Sequence, residues 1–276
     1  LLVDIGAFWW LMPFAVLGIP AGLAIFTALA LLAANEAKRL FGLRGTARIL
    51  AVGIAWSAAE WLRGHVLTGF PWNLVGYAWS GAFPGSDQML QVTSVVGIYG
   101  LSLITVTAAM LPARLGDRDR GARWALLAAV LLIALPMAGG GVRLFTASKA
   151  LLPGIFIRLV QPSIPEVLKN DPAAQLDNLR RLIALSGEPS QVPITAVVWP
   201  EAAAPPFLER NDDLRRTLAL AMPSGAMLMT GDVRTDTAPA KPTHIWNSLL
   251  IVGSAGEPIG SYDKSHLVPF GEYVPL

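Results

Sequence analysis

The chain has 276 residues, 54% of them hydrophobic and only 14% charged, against about 25% charged in an average soluble domain. This composition excludes an ordinary, wholly water-soluble domain and asks for membrane segments. The net charge of +2 is small, and the basic residues fall in short clusters between apolar runs, which argues against a nucleic-acid partner. The imbalance is also local: residues 1–149 hold 11 of the 21 Lys and Arg but only 6 of the 19 acids. The first half therefore reads as a weakly charged, cationic membrane part. The second half has the mixed charge and turn content of a domain in water.

Four runs, near residues 12–34, 46–62, 89–112 and 123–140, are predicted as membrane helices, each needing about 20 apolar residues to cross roughly 30 Å of hydrocarbon. The second is short and closes on Glu60, so a buried helix that does not cross stays open for it. Lys38, Arg39, Arg44 and Arg48 cluster after the first run, and Arg114, Arg118, Arg120 and Arg123 precede the fourth. Lys and Arg in short loops mark the cytoplasmic side, so both clusters are placed there. The loop from Arg63 to Gln88, with its Phe70-Pro71-Trp72, is placed outside, and so is the chain after the fourth run.

Beyond Gly139-Gly140-Gly141 the pattern changes to short strands and amphipathic helices. Strands are predicted at 155–160, 194–199, 226–230, 245–252 and 259–262, with helices at 172–186, begun by Asp171, and near 207–221. Ser254-Ala255-Gly256-Glu257 reads as a hairpin turn. Strands alternating with helices imply a layered α/β domain. The domain division is set at 1–145 and 150–276.

Two residues stand where chemistry could occur. Glu201 follows Ala196-Val197-Val198-Trp199-Pro200, an apolar strand that Pro200 ends because it cannot donate to the ladder. A carboxylate at the tip of a buried strand sits where open α/β sheets place reactive groups, and partial desolvation would strengthen it as a base. A strand-end glutamate is, by itself, more often a loop hydrogen-bond acceptor. Lys264 precedes Leu267-Val268-Pro269-Phe270-Gly271, and on its own it reads as a solvated surface lysine. Glu272, eight residues on, reads equally as a second acid or a turn residue. With three histidines, no H-x-x-x-H spacing and no G-x-S-x-G, neither a zinc site nor a serine hydrolase has support.

Taken together, Val198-Trp199-Pro200-Glu201-Ala202-Ala203 and Tyr262-Asp263-Lys264-Ser265-His266-Leu267-Val268-Pro269-Phe270-Gly271-Glu272-Tyr273-Val274-Pro275-Leu276, preceded by Leu159-Val160-Gln161-Pro162, resemble the bacterial apolipoprotein N-acyltransferases. In the membrane half, Glu60-Trp61-Leu62-Arg63-Gly64 and Leu67-Thr68-Gly69-Phe70-Pro71-Trp72 are similar to that family's loop between membrane helices. The W-P-E motif is shared with soluble nitrilases, and the membrane half separates the two groups. The resemblance implies an α/β fold, a polytopic transmembrane helix bundle followed by a nitrilase-like sandwich domain, in the bacterial inner membrane with the catalytic domain on the periplasmic side.

The resemblance further implies a reaction. An acyl chain passes from a phospholipid donor, through a cysteine thioester, to the N-terminal amine of a diacylglyceryl-cysteine apolipoprotein, with no metal or organic cofactor. Glu201 matches the family's general base, Lys264 its oxyanion-stabilising lysine and Glu272 a further essential glutamate. The chain contains no cysteine and stops within a motif, so a fragment lacking both ends is expected, with the nucleophile downstream. Glu201 and Lys264 are expected to converge within roughly 3 to 6 Å, because both must reach one carbonyl. The alternatives are a membrane-tethered nitrilase-type amidase, which would use water in place of the amine, and a non-enzymatic membrane protein with a degenerate domain. A soluble α/β hydrolase fits least.

Overall fold

A computed structural model describes residues 10, 12–66, 69–117, 121–148, 151–165, 168, 171–236 and 244–268. They fall into two compact units that part at residues 149–150. The first is all helix: α1 (Ile19–Phe41), α2 (Gly45–His65), α3 (Ser86–Leu90), α4 (Thr93–Met110) and α5 (Ala122–Thr146), with 3-10 turns at Val75–Trp79 and Leu111–Asp117. Three helices in it are long and apolar enough to cross a membrane, Val16–Phe41, Thr93–Asp117 and Ala122–Thr146. At 1.5 Å per residue, 25 residues rise about 37 Å, which exceeds the roughly 30 Å of hydrocarbon. Ile25, Leu29, Leu32, Val130, Leu131 and Leu135 stay exposed on α1 and α5, as lipid-facing positions must be. Ile49, Leu111, Ala125 and Ala129 form the small core where α2, α4 and α5 meet.

Two sequence expectations need adjustment here. The run at 89–112 is not one helix: α3 ends at Leu90, α4 begins at Thr93, and Gly97 takes φ 68°, ψ −179° within it. Only glycine adopts that conformation freely, so the apolar run continues while the helix kinks. The run at 46–62 forms a full 21-residue helix, α2, that Glu60 does not end. Glu60 is buried, and its Oε1 accepts from Trp56 Nε1 at 3.1 Å and from the Val75 amide at 2.8 Å. These bonds offset part of the cost of burying the carboxylate, whose Oε2 accepts from no donor among the described residues, and pin the 3-10 turn against α2. Ser102 Oγ accepts from the Gly76 amide at 2.9 Å, and Trp79 Nε1 donates to Thr105 Oγ1 at 2.8 Å, so the same turn is also tied to α4.

The second unit is a five-stranded sheet in the order β1-β2-β3-β4-β5: β1 (Ile157–Leu159), β2 (Ala196–Val198), β3 (Met227–Thr235), β4 (Ile245–Val252) and β5 (Pro258–Asp263). The first three strands are parallel and the last two join antiparallel. Two helices, α6 (Gln175–Ser186) and α7 (Asp212–Ala221), supply the crossovers. The fold is thus a helical region followed by an α/β region with one mixed sheet. The strands predicted at 155–160 and 194–199 are each reduced to three residues, while β3 runs five residues past its predicted end. The helix predicted from Asp171 begins at Gln175, because the Asp171 carboxylate accepts from the Ala173 amide in a turn ahead of it. Asn211 caps α7 by accepting from the Leu214 amide at 3.0 Å.

The core of this unit gathers Leu182 of α6, Leu218 of α7, Val197 of β2, Leu228 of β3, and Leu250 and Val252 of β4 around Trp199. The indole of Trp199 is buried, and Nε1 donates to Ser186 Oγ at 2.8 Å, which in turn donates to the Leu182 carbonyl. The strand that carries Glu201 therefore ends on a fixed, fully satisfied aromatic anchor.

Candidate active site

Glu201 lies two residues past Trp199, on a loop strapped along β3 by backbone bonds. Trp199 donates to Met229 O at 2.8 Å, Ala204 to Gly231 O at 3.3 Å and Phe207 to Val233 O at 3.0 Å. The loop comes so close that a Cβ on Gly231 would lie 2.3 Å from the Ala202 amide nitrogen. Ala202, next to the glutamate, is held at φ 50°, a left-handed conformation that costs an L residue roughly 1–2 kcal/mol. Such strain persists only where the surroundings impose it, and it concentrates at working sites. A small cavity of about 120 Å³ lies alongside, between Ala202–Pro206 and Leu179 of α6.

The antiparallel register assembles the rest. Val233 of β3 pairs with Asn247 of β4, and Lys264 follows Asp263, the partner of Ser248, with its amide donating to Asn247 O at 2.8 Å. Directly paired residues share a sheet face, so Gly231, Val233 and Asn247 lie on one side together, and Lys264 falls next to them. There Lys264 Nζ stands 3.3 Å from Glu201 Oε1, and Asn247 Nδ2 donates to the same oxygen at 2.6 Å. The two residues singled out in the sequence are thus brought together, within the range expected of them. Burial does not follow the expectation: the Glu201 side chain is 61% exposed and that of Lys264 32%. The carboxylate is reached by the Lys264 ammonium and the Asn247 amide while much of it stays open to solvent. Glu272 lies outside the described residues.

The other face of the same strands carries a second polar network. Asp263, beside Lys264 in sequence, accepts from Ser248 Oγ at 2.6 Å and from Arg234 Nη1 at 2.5 Å, and Arg234 Nε donates to Glu209 at 2.8 Å. The Ser248 hydroxyl, followed by Arg234 and against the desolvation that opposes them, holds the Asp263 carboxyl below its ordinary range. Glu209, ahead of Asp263, pushes the Arg234 guanidinium up. Asp232 is fully buried, which raises its carboxyl, an effect the amides of Glu209 and Leu208 reduce by donating to it. These ties fix the strand end that presents Lys264.

Sequence reasoning passed over Asn247, Arg234 and Asp263. The signal was present, since Asn247-Ser248 interrupts an otherwise apolar strand, but only the register of β3, β4 and β5 shows what the interruption serves. Chemically, a carboxylate with an ammonium at 3.3 Å can take a proton from an acid brought to it while a fixed positive charge waits for a developing anion. No cluster of three or more metal-ligating side chains occurs among the described residues.

The helical region with three membrane-length helices, followed by an α/β region that holds a Glu-Lys pair on its mixed sheet, describes a multi-pass membrane protein with a polar site outside the helices. Residues 2–111 match the family profile described as the apolipoprotein N-acyltransferase N-terminal domain. The chain is 39% identical over 283 residues to a protein named apolipoprotein N-acyltransferase from Bradyrhizobium diazoefficiens, covering 99% of this chain and 51% of that protein. Proteins of the same name from Rhodopseudomonas palustris (38% identical, 99% of this chain, 52% of theirs) and Allorhizobium ampelinum (39%, 100% and 51%) are similar to it in the same way. Over nearly its whole length, then, the chain is similar to proteins named apolipoprotein N-acyltransferase. It spans about half the length of the curated relatives it matches.

Proposed function

We propose that this chain is part of an enzyme that moves an acyl chain from a phospholipid, through a cysteine thioester, to the N-terminal amine of a diacylglyceryl-cysteine apolipoprotein. The observation that carries the reading is the 3.3 Å approach of Lys264 Nζ to Glu201 Oε1, with Asn247 fixing the same oxygen. Glu201 acts as general base. It takes the proton of the thiol as sulfur attacks the lipid ester carbonyl and returns it to the glycerol oxygen that leaves; later it takes a proton from the amine that attacks the thioester and returns it to the cysteine sulfur as the C–S bond breaks. Lys264 supplies positive charge where the tetrahedral oxyanion forms in each step. The thiol comes from outside these 276 residues, which contain no cysteine. Glu272 is assigned as a further essential acid.

Residues 1–145 form the membrane domain in this reading, and residues 150–276 belong to a nitrilase-like domain on the periplasmic side of the inner membrane. The arginine-rich loops beside α1 and before α5 face the cytoplasm. A membrane-bound site suits the chemistry, because both substrates are lipids whose acyl chains reach the nucleophile without crossing water.

The test supplies the full-length protein with phospholipid carrying a labelled acyl chain, together with a diacylated lipopeptide. Label on the lipopeptide's N-terminal amine supports the proposal. Label released only as free fatty acid sinks it in favour of hydrolysis.

A further inference from the structure

At one end of the helical unit, the C-terminus of α1, the N-terminus of α2 and the 3-10 turn after α4 surround an open cavity of about 870 Å³. Four cations line it, Lys38, Arg44, Arg48 and Arg114, against one carboxylate, Asp117. Asp117 is already engaged, in an ion pair with Arg114. Arg114 is buried, and its guanidinium lies so close to Gly45, the first residue of α2, that a Cβ there would come 2.8 Å from Cζ. Gly45 thus admits a charged group that any larger residue would displace. Arg44 and Arg48 stand one helical turn apart and are exposed, and among the described residues the cavity wall holds no other acid to answer them. Like charges at that spacing repel and are relieved by an anion between them.

The cavity's place selects the anion. One apolar span ends at Phe41 and another at Asp117; Leu43 to Arg48 follow directly on the first, and Ala113, Arg114 and Asp117 belong to the last residues of the second, so the cavity sits where the lipid-facing surface stops. The first turn of α2, Gly45 to Ala47, also lines the space and adds the positive end of a 21-residue helix to the side-chain charge. Basic pockets between membrane helices at the headgroup level suit phosphate esters, which Arg can grip with two parallel hydrogen bonds.

We propose that this cavity binds a phosphate group, held as the headgroup of an anionic phospholipid. The site belongs to the helical unit alone and does not depend on the acyl-transfer reading. In the test, full-length protein in phosphatidylcholine nanodiscs doped with phosphatidylglycerol is released into native mass spectrometry, and bound lipids are counted. Arg44→Gln/Arg48→Gln removes two exposed charges and leaves Arg114 in place, and a thermal midpoint equal to wild type checks the fold. Each cation near a headgroup is worth about fivefold, so the double variant should retain phosphatidylglycerol roughly 30-fold more weakly. Phosphatidylcholine of the same acyl chains should be retained far less by the wild type and equally by both proteins.

Phosphatidylglycerol that persists in the double variant, or equal retention of the two lipids by the wild type, would overturn the site. Excess inorganic phosphate separates the two sources: lipid that survives it supports the headgroup as occupant, and complete displacement assigns free phosphate and overturns the lipid.

Discussion

Asn247→Asp replaces the amide that donates to Glu201 with a carboxylate in the same place. Two unit negative charges 2.6 Å apart repel by about 1.6 kcal/mol in bulk water and about 6 kcal/mol at an effective dielectric constant near 20. Glu201 is 61% exposed, so the lower figure applies. The lost hydrogen bond to a charged acceptor adds about 1.5 kcal/mol. Together, about 3 kcal/mol leaves the carboxylate in its wild-type place beside Lys264 in roughly 1% of molecules, and acyl-enzyme formation should fall by about 100-fold. Asn247→Leu loses only the donor and should cost about tenfold. The assay follows acyl-enzyme in the full-length protein by intact mass after mixing with phospholipid, with thermal midpoints recorded to show that each variant is folded. An Asn247→Asp rate within twofold of wild type, or a leucine variant slower than the aspartate one, would refute the arrangement.

Glu60→Leu strands the Val75 amide and the Trp56 indole N–H, both partly buried, at about 1 kcal/mol for each donor left without its acceptor, and should lower the midpoint in detergent by a few degrees. Glu60→Gln, which keeps an acceptor oxygen, should fall between it and wild type; an unchanged leucine variant contradicts the buried anchor. Asp263 titrates below its ordinary range in the folded state, so its stabilisation is fully present above the unfolded value near 3.9 and is lost as pH falls through the folded pKa. The stability gap between wild type and Asp263→Asn should therefore close on acidification below about pH 4, as read by denaturation at a series of pH values, and a constant gap would show that the charge is not its source. Gly231→Ala places a methyl 2.3 Å from the Ala202 amide and should cost about 1–3 kcal/mol while displacing the loop that carries Glu201. Wild-type stability together with wild-type acylation in that variant would mean that the loop does not need its close seat on β3.

Glu201 and Lys264 were legible in the sequence because each stands at a strand end marked locally, one by Pro200 and the other by the proline and glycine after it. Asn247 was not legible, since its part depends on β4 pairing with β3 on one side and β5 on the other, a register that no local pattern encodes. The membrane half shows the same division. Apolar length located the helices, whereas the kink at Gly97 and the acceptor role of Glu60 depend on a single backbone angle and on a partner 15 residues away. Exposure of the Glu201 carboxylate ran against expectation because the chain leaves the sheet after Trp199, so burial of the strand does not carry over to the loop beyond its tip.

In the proposed reaction Glu201 is the base that makes the thioester. A thiol of ordinary pKa near 8.5 is only a few per cent ionised at neutral pH, so removing its base should slow acylation by roughly 10² to 10⁴. Full-length wild type and Glu201→Gln are incubated with phospholipid, and acyl-enzyme is followed by intact mass. Thioester should form rapidly in the wild type and at least about a hundredfold more slowly in the variant; equal thioester in the two proteins would rule Glu201 out as the base.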